Sequence, residues 1–240
     1  MRADKTAPVD TMGCHMLAAP DAPPRDQRLQ VLISLMLSSQ TRDEVTAAAM
    51  RRLHVLPLSL SKLLTMNADT LADLIRPVGF YRQKAKYILR TAALLATRPD
   101  QDIPRTLGEL QALPGVGPKM ACLVMQNAWG ESVGIGVDVH VHRICNRLGW
   151  VHTKDPEGTR AALEDWLPRD LWSEINPLLV GFGQTVCLPV KPRCGGCLLR
   201  DSCPSSTCPT VPRGAAGRKS GGNTRVSSNV GSIDALLIIC

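Results

Sequence analysis

Seven consecutive residues, Leu113-Pro114-Gly115-Val116-Gly117-Pro118-Lys119, combine a turn that can grip a phosphate with an amine that follows it directly. Glycines permit positive φ and leave no Cβ between the backbone and a ligand. Pro118 suits the first position of a helix, so the N–H groups of the turn would stand at a helix N-terminus, where anions bind without any reading of base sequence. An ordinary inter-helix turn has the same composition, so the hairpin alone says little. Lys119 adds to it. A cation in the first turn opposes the helix dipole by about 0.3–1 kcal/mol. The same field favours a neutral amine, which is a nucleophile and forms Schiff bases. Moving a lysine from about 10.4 to about 8 takes roughly 3 kcal/mol, so burial or a second cation must supply most of the shift. Read alone, Lys119 stays open between a solvated or phosphate-binding cation and a nucleophile.

Asp138 is an acid that follows the lysine downstream. Val137 to Val141 alternates as a strand would, but Val141, Ile144, Cys145 and Leu148 have helical spacing, which places Asp138 at a helix N-cap. One carboxylate oxygen could cap while the other takes a proton or stabilises a developing sugar cation. His140 and His142 lack a third ligand at metal spacing and read as structural or phosphate-contacting residues.

Cys187, Cys194, Cys197 and Cys203 set four thiols within seventeen residues at C-x6-C-x2-C-x5-C spacing. Four thiolates suit zinc or an iron–sulfur cluster. Zinc sites usually pair two short knuckles, and only one is present here, which leans the reading towards iron–sulfur. Lys191 and Arg193 lie inside the first loop, where they either meet a DNA backbone or are simply solvated. Cys122 and Cys145 fall on apolar helix faces and read as core residues.

These groups need a scaffold. The chain has 240 residues, formal net charge +7 and 44% hydrophobic but only 3% aromatic residues, which predicts a core of Leu, Ile, Val, Met and Ala in packed helices. The basic balance favours a polyanionic partner. No secretory signal and no membrane-length apolar run is visible, so a soluble intracellular protein with clustered metal-binding cysteines is expected. Residues 1–28 read as a loop or frayed arm. Leu29, Leu32, Ile33, Met36 and Leu37 predict a helix with one buried face. Thr41 with Glu44 predicts a capping box for the next helix, to Leu53. Further helices are expected near 59–66, 69–76, 81–97, 106–112, 119–128, 159–167 and 171–182, with Pro and Gly between them. Residues 209–240 read mostly as a disordered basic tail. The fold class is all-α.

The hairpin resembles the helix-hairpin-helix signature of the endonuclease III superfamily of DNA base-excision glycosylases. Val137-Asp138, with His140-Val141-His142-Arg143 and Asn146-Arg147, resembles the catalytic-aspartate segment of that family. The cysteine spacing resembles its [4Fe-4S] loop. Leu37-Ser38-Ser39-Gln40-Thr41 resembles its DNA-facing segment, and Val78-Gly79-Phe80 with Lys84-Ala85 another of its inter-helix turns. The resemblance runs from about Ala7 to Pro204. It points to the eukaryotic branch through Gly117-Pro118-Lys119-Met120, Ala128-Trp129-Gly130 and Leu178 to Gln184.

This resemblance implies two helical lobes with a DNA cleft between them: a six-helix barrel with the hairpin, at 29–150, and an iron–sulfur lobe from 1–28 and 151–208. It implies a bifunctional DNA glycosylase and AP lyase that removes oxidised pyrimidines from duplex DNA. The damaged base would be flipped out and Gln40 would fill the gap. Lys119 would attack C1′, and Asp138 would handle protons and charge. Gly115, Val116, Gly117, His140, Lys191 and Arg193 would touch DNA, and the four cysteines would hold a [4Fe-4S] cluster. A monomer away from membranes is implied, in the nucleus, with the mitochondrion as the other compartment. Position 139 is Val where the family usually has Thr, a helix that the family packs in its cluster lobe would precede Met1, and no counterpart is evident after about Thr207. An adenine-mismatch glycosylase shares the hairpin, the aspartate and the cluster but lacks the lysine, and a non-catalytic DNA-binding variant of the fold is the other alternative.

Overall fold

Helix α2 (Pro24–Ser38) is the centre around which the first half of the chain is built. Every residue from Leu29 to Leu37 is buried, so the helix is enclosed by others rather than lying on a surface. Its visible periodicity begins at Leu29, yet it starts at Pro24, because proline is tolerated in a first turn. The computed structural model describes residues 5–208 and is helical throughout them, with no strand among the described residues. The expected tail at 209–240 lies outside the described residues.

The described residues divide into two units, each with its own packing. The first runs from Pro8 to Gly136. It holds α1 (Pro8–Met12), α2, α3 (Asp43–His54), α4 (Leu60–Leu64), α5 (Ala68–Ile75), α6 (Tyr81–Ala96), α7 (Leu107–Gln111) and α8 (Pro118–Trp129). Helix α2 packs on α8, α3 and α6, while α5 packs on α6 and α3. The core is Leu, Ile, Val, Met and Ala, as the scarcity of aromatics requires. Trp129 is an exception at its edge. Its indole N–H donates to the carbonyl of Pro104, and the guanidinium groups of Arg28 and Arg105 lie 4.4 and 5.2 Å from its ring centre. Arg28 also pairs with the largely buried Asp102 and ties the start of α2 to the loop before α7.

Two local expectations fail here for a common reason. Residues 8–16 are not a frayed arm: α1 and a 3-10 turn at Cys14–Met16 pack on α3 and α2. The capping box at Thr41 and Glu44 does not form. Helix α3 starts after Arg42, whose side chain makes no cap bond, and the Thr41 hydroxyl is taken by α6 and the turn before it. A related pair does form at Thr106 and Glu109, where the Thr106 hydroxyl accepts from the Glu109 N–H and donates to its carboxylate. Both failures are tertiary contacts overriding a local preference.

The second unit begins at Val137 and takes in residues 5–7. It contains α9 (Val139–Arg147), α10 (Pro156–Trp166) and α11 (Trp172–Thr185), followed by the cysteine loop. The division at Gly136 differs from the expected boundary at 150, because α9 buries Val141, Ile144 and Cys145 and packs on α11 and α10. Residues 8–28, expected with the cysteine lobe, belong to the first unit. Around Phe182, fully buried in α11, the chain turns back so that the N–H groups of Val186 and Cys187 both donate to its carbonyl.

Candidate active site and cysteine loop

The hairpin forms as the glycines require. Gly115 has φ +79, and a Cβ there would lie 2.6 Å from the ring of Tyr87, so both the backbone and the close approach exclude a side chain. Gly117 is extended and open, and Pro118 begins α8. Gly115, Gly117 and Lys119 are exposed, while Val116 is buried and its N–H donates to the Leu113 carbonyl at 3.2 Å. Lys119 stands in the first turn of α8. Its charge acts on the Cys14 thiol, opposite in sense to Asp43. The α8 N-terminus is thus in electrostatic reach of the turn at Cys14, itself held to α2 by the Ser34 hydroxyl donating to the Cys14 carbonyl at 3.0 Å.

Gln40 is exposed beyond the end of α2 with φ +52, a left-handed conformation uncommon outside glycine. Beside it lies Lys84, visible in the sequence only as part of a turn, whose Nζ donates to the Ser39 carbonyl at 2.5 Å. A buried lysine leaves no local signal beyond a cation on the apolar side of a helix.

Asp138 is the N-cap of α9, as its position before the helical spacing requires. Its Oδ1 accepts from the N–H groups of His140 at 2.8 Å and Val141 at 2.9 Å, so both cap bonds use one oxygen and Oδ2 lies outside the cap. Val139 beside it is 68% exposed. His140 is turned along its helix: Arg143 Nη2 donates to its Nδ1 at 3.2 Å, so a neutral ring carries its proton on Nε2. His142 is committed to structure, its Nδ1 bonded to the Thr159 hydroxyl at 2.7 Å.

Two arginines one helical turn apart on α9 grip the cysteine loop. Arg143 donates to the Cys187 carbonyl at 3.0 Å, and burial lowers its pKa. Arg147 donates to the carbonyls of Leu188 at 2.7 Å and Pro189 at 2.8 Å, and to Cys187 Sγ at 3.4 Å. Gly183 makes room for this: a Cβ would lie 2.5 Å from His140 Nδ1 and 2.9 Å from Arg143 Nη2. The i, i+4 spacing of Arg143 and Arg147 could have shown that they share a face, but nothing local shows what that face meets.

Cys187, Cys194, Cys197 and Cys203 carry free thiols and line one recess of about 410 Å³, open solvent included, with Leu148, Phe182 and Leu199 among its walls. Among the described residues, no three His, Cys, Asp or Glu side chains are drawn together as a single-ion site needs. Hydrogen bonds from Thr207 hold the Cys194 thiol below its usual pKa, whereas burial pushes Cys197 and Cys203 up. Lys191 and Arg193 are exposed in the loop, and Lys191 takes φ +52.

Residues 33–169 match the HhH-GPD superfamily of base excision DNA repair proteins. The chain belongs to the endonuclease III family within that superfamily. It is 58% identical over 208 residues to endonuclease III-like protein 1 of Bos taurus, covering 86% of this chain and 68% of that protein. It is 49% identical to the endonuclease III homolog of Schizosaccharomyces pombe, over 86% of this chain and 59% of that one. A solved structure of a trapped endonuclease III–DNA covalent intermediate, an estranged-adenine complex, matches with TM-score 0.71 at 30% identity, covering 75% of this chain and 84% of the other. The protein is a base excision repair DNA glycosylase with AP lyase activity, and DNA is its partner.

Proposed function

We propose that Lys119 is the nucleophile of this glycosylase and that its substrates are oxidised pyrimidines in duplex DNA. The observation that carries the assignment is the exposed lysine in the first turn of α8, immediately after a glycine turn whose backbone is open to a phosphate. Lys119 Nζ attacks C1′ of the flipped nucleotide, and the base departs with the electrons of the glycosidic bond. One amine proton passes to the departing base, the C1′–O4′ bond breaks as C=N forms, and O4′ takes the second proton, which leaves a Schiff base. Removal of a C2′ proton then breaks the C3′–O bond and nicks the strand. Asp138 assists through Oδ2, taking up a proton or balancing positive charge on the sugar. The exposed backbone N–H groups at Gly115 and Gly117 contact phosphate, while the Val116 N–H donates to the Leu113 carbonyl at 3.2 Å and holds the turn between them. Lys191, Arg193 and His140 through Nε2 add further DNA contacts.

The four thiols of the recess fit a [4Fe-4S] cluster, whose irons take cysteine thiolates and spread them more widely than one ion does. Bound there, the cluster braces the loop that carries Lys191 and Arg193. The reading takes the protein as a monomer acting in the nucleus, with the mitochondrion as a second compartment.

Borohydride trapping on a thymine-glycol duplex tests the nucleophile. A covalent adduct is expected with wild type and none with Lys119→Ala. An adduct that survives Lys119→Ala, or its absence with wild type, removes the assignment. Trapping on an adenine-mismatch duplex run beside it separates the substrate class.

A further inference from the structure

Gln40 and Phe80 both hold left-handed backbone, with φ +52 and +57, and both are exposed. For a residue with a Cβ this costs about 1–2 kcal/mol and persists only where the surroundings impose it. Gly79 and Lys84 supply those surroundings. A Cβ on Gly79 would lie 2.8 Å from the Gln40 carbonyl oxygen, so the two turns touch through bare backbone. The Gly79 N–H donates to Thr41 Oγ1 at 3.1 Å.

Lys84, in the first turn of α6, is 7% exposed and reaches the same place from below. Its Nζ donates to the carbonyls of Leu37 at 2.6 Å and Ser39 at 2.5 Å, and to Thr41 Oγ1 at 3.2 Å. These oxygens bracket Gln40 on both sides. Two belong to the end of α2, where terminal carbonyls lack helical partners and the dipole favours a cation. No carboxylate joins them among the described residues. Burying an ammonium without a counter-ion costs several kcal/mol, whereas an apolar side chain would fill the space without that cost. Burial lowers the Lys84 pKa to about 8, and Cys14 opposes the shift.

We infer that Lys84 is a positioning residue for base extrusion: its ammonium locks residues 37–41 so that Gln40 is presented, already shaped, to the space that the flipped nucleotide leaves. This rests on the reading of Gln40 as the residue that fills that space. Lys84 acts through the backbone and touches no substrate.

The test separates extrusion from chemistry. Single-turnover rates are measured on a duplex with paired thymine glycol, and borohydride trapping on a single-stranded abasic oligonucleotide, which needs no base extruded. Lys84→Met is expected to slow the paired lesion about tenfold or more and to leave single-strand trapping within about twofold. Gln40→Ala should show the same split, and the double variant should be no slower than the slower single variant. Equal loss on both substrates, loss on neither, or multiplying effects in the double variant overturns the inference. A Gln40→Ala variant with no selective loss, beside a selective Lys84→Met, overturns the Gln40 reading instead. If Lys84→Met does not fold, Thr41→Val removes the shared oxygen and keeps the lysine. It should show the same selective loss, and equal or absent loss there overturns the inference equally.

Discussion

Asp138 commits Oδ1 to two backbone N–H groups and keeps Oδ2 outside the cap, so the proposed chemical role and the structural one fall on different oxygens. The two demands can be separated by substitution. Asparagine caps a helix about as well as aspartate but carries no charge and takes up no proton. Asp138→Asn is therefore expected to leave thermal stability within about 0.5 kcal/mol of wild type while base release falls roughly 100-fold or more. Asp138→Ala should lose the same activity and about 1 kcal/mol of stability besides. Thermal unfolding and single-turnover assays on the two variants check this, and equal stability loss in both would mean that charge, not the cap bonds, holds the start of α9. Lys119 differs in kind. It stands exposed in the first turn of α8, where a cation opposes the helix dipole by about 0.3–1 kcal/mol.

Among the elements, α2 is the one whose end matters most. Its final carbonyls are capped by Lys84 rather than by a glycine turn, and this carries a pH signature. Burial lowers Lys84 from 10.5 to about 8, and Cys14 opposes the shift. Below pH 8 the lysine is charged in both the folded and the unfolded chain, and the folded state bears the full burial cost. Between about 8 and 10.5 the folded protein releases the proton while the unfolded chain keeps it, so this group's contribution to stability rises with pH across that window. Denaturant unfolding from about pH 7 to about pH 10 should show this rise in wild type relative to Lys84→Met. Parallel curves for the two proteins would mean that the lysine titrates normally. Helix α9 is the corresponding element of the other unit. Its cap carries Asp138, and its last turns carry the arginines that hold Cys187 to Pro189.

At the scale of the whole molecule, the chain places its chemistry on two units of different make-up. The unit from Pro8 to Gly136 has a continuous aliphatic core. After α11 the other unit turns to short loops in which Cys187, Cys194, Cys197 and Cys203 line one recess. Removing a bound cluster, by oxidation followed by chelation, should therefore act unevenly. The visible absorption of the iron–sulfur chromophore disappears, and limited proteolysis cuts after about residue 185 while the 8–136 unit stays intact. Cleavage spread evenly over both units would show that the cluster supports the entire fold.

Sequence alone determined the features whose cause is local. The turn before α8 follows from Gly115, Gly117 and Pro118, the cap on α9 from an acid before a helical repeat, and the helices from apolar spacing broken by Pro and Gly. The four cysteines declared themselves by type and interval. Tertiary structure decided whatever depends on a partner far along the chain. Thr41 abandoned its cap because Gly79 and Lys84 compete for its hydroxyl. The segment at 8–16 folded because α2 and α3 offered it an apolar surface. The shape of Gln40 is set by a lysine more than forty residues away. A helix repeat is written in its own residues, but the solvation of a buried ammonium is settled only when the carbonyls that receive it have been brought together.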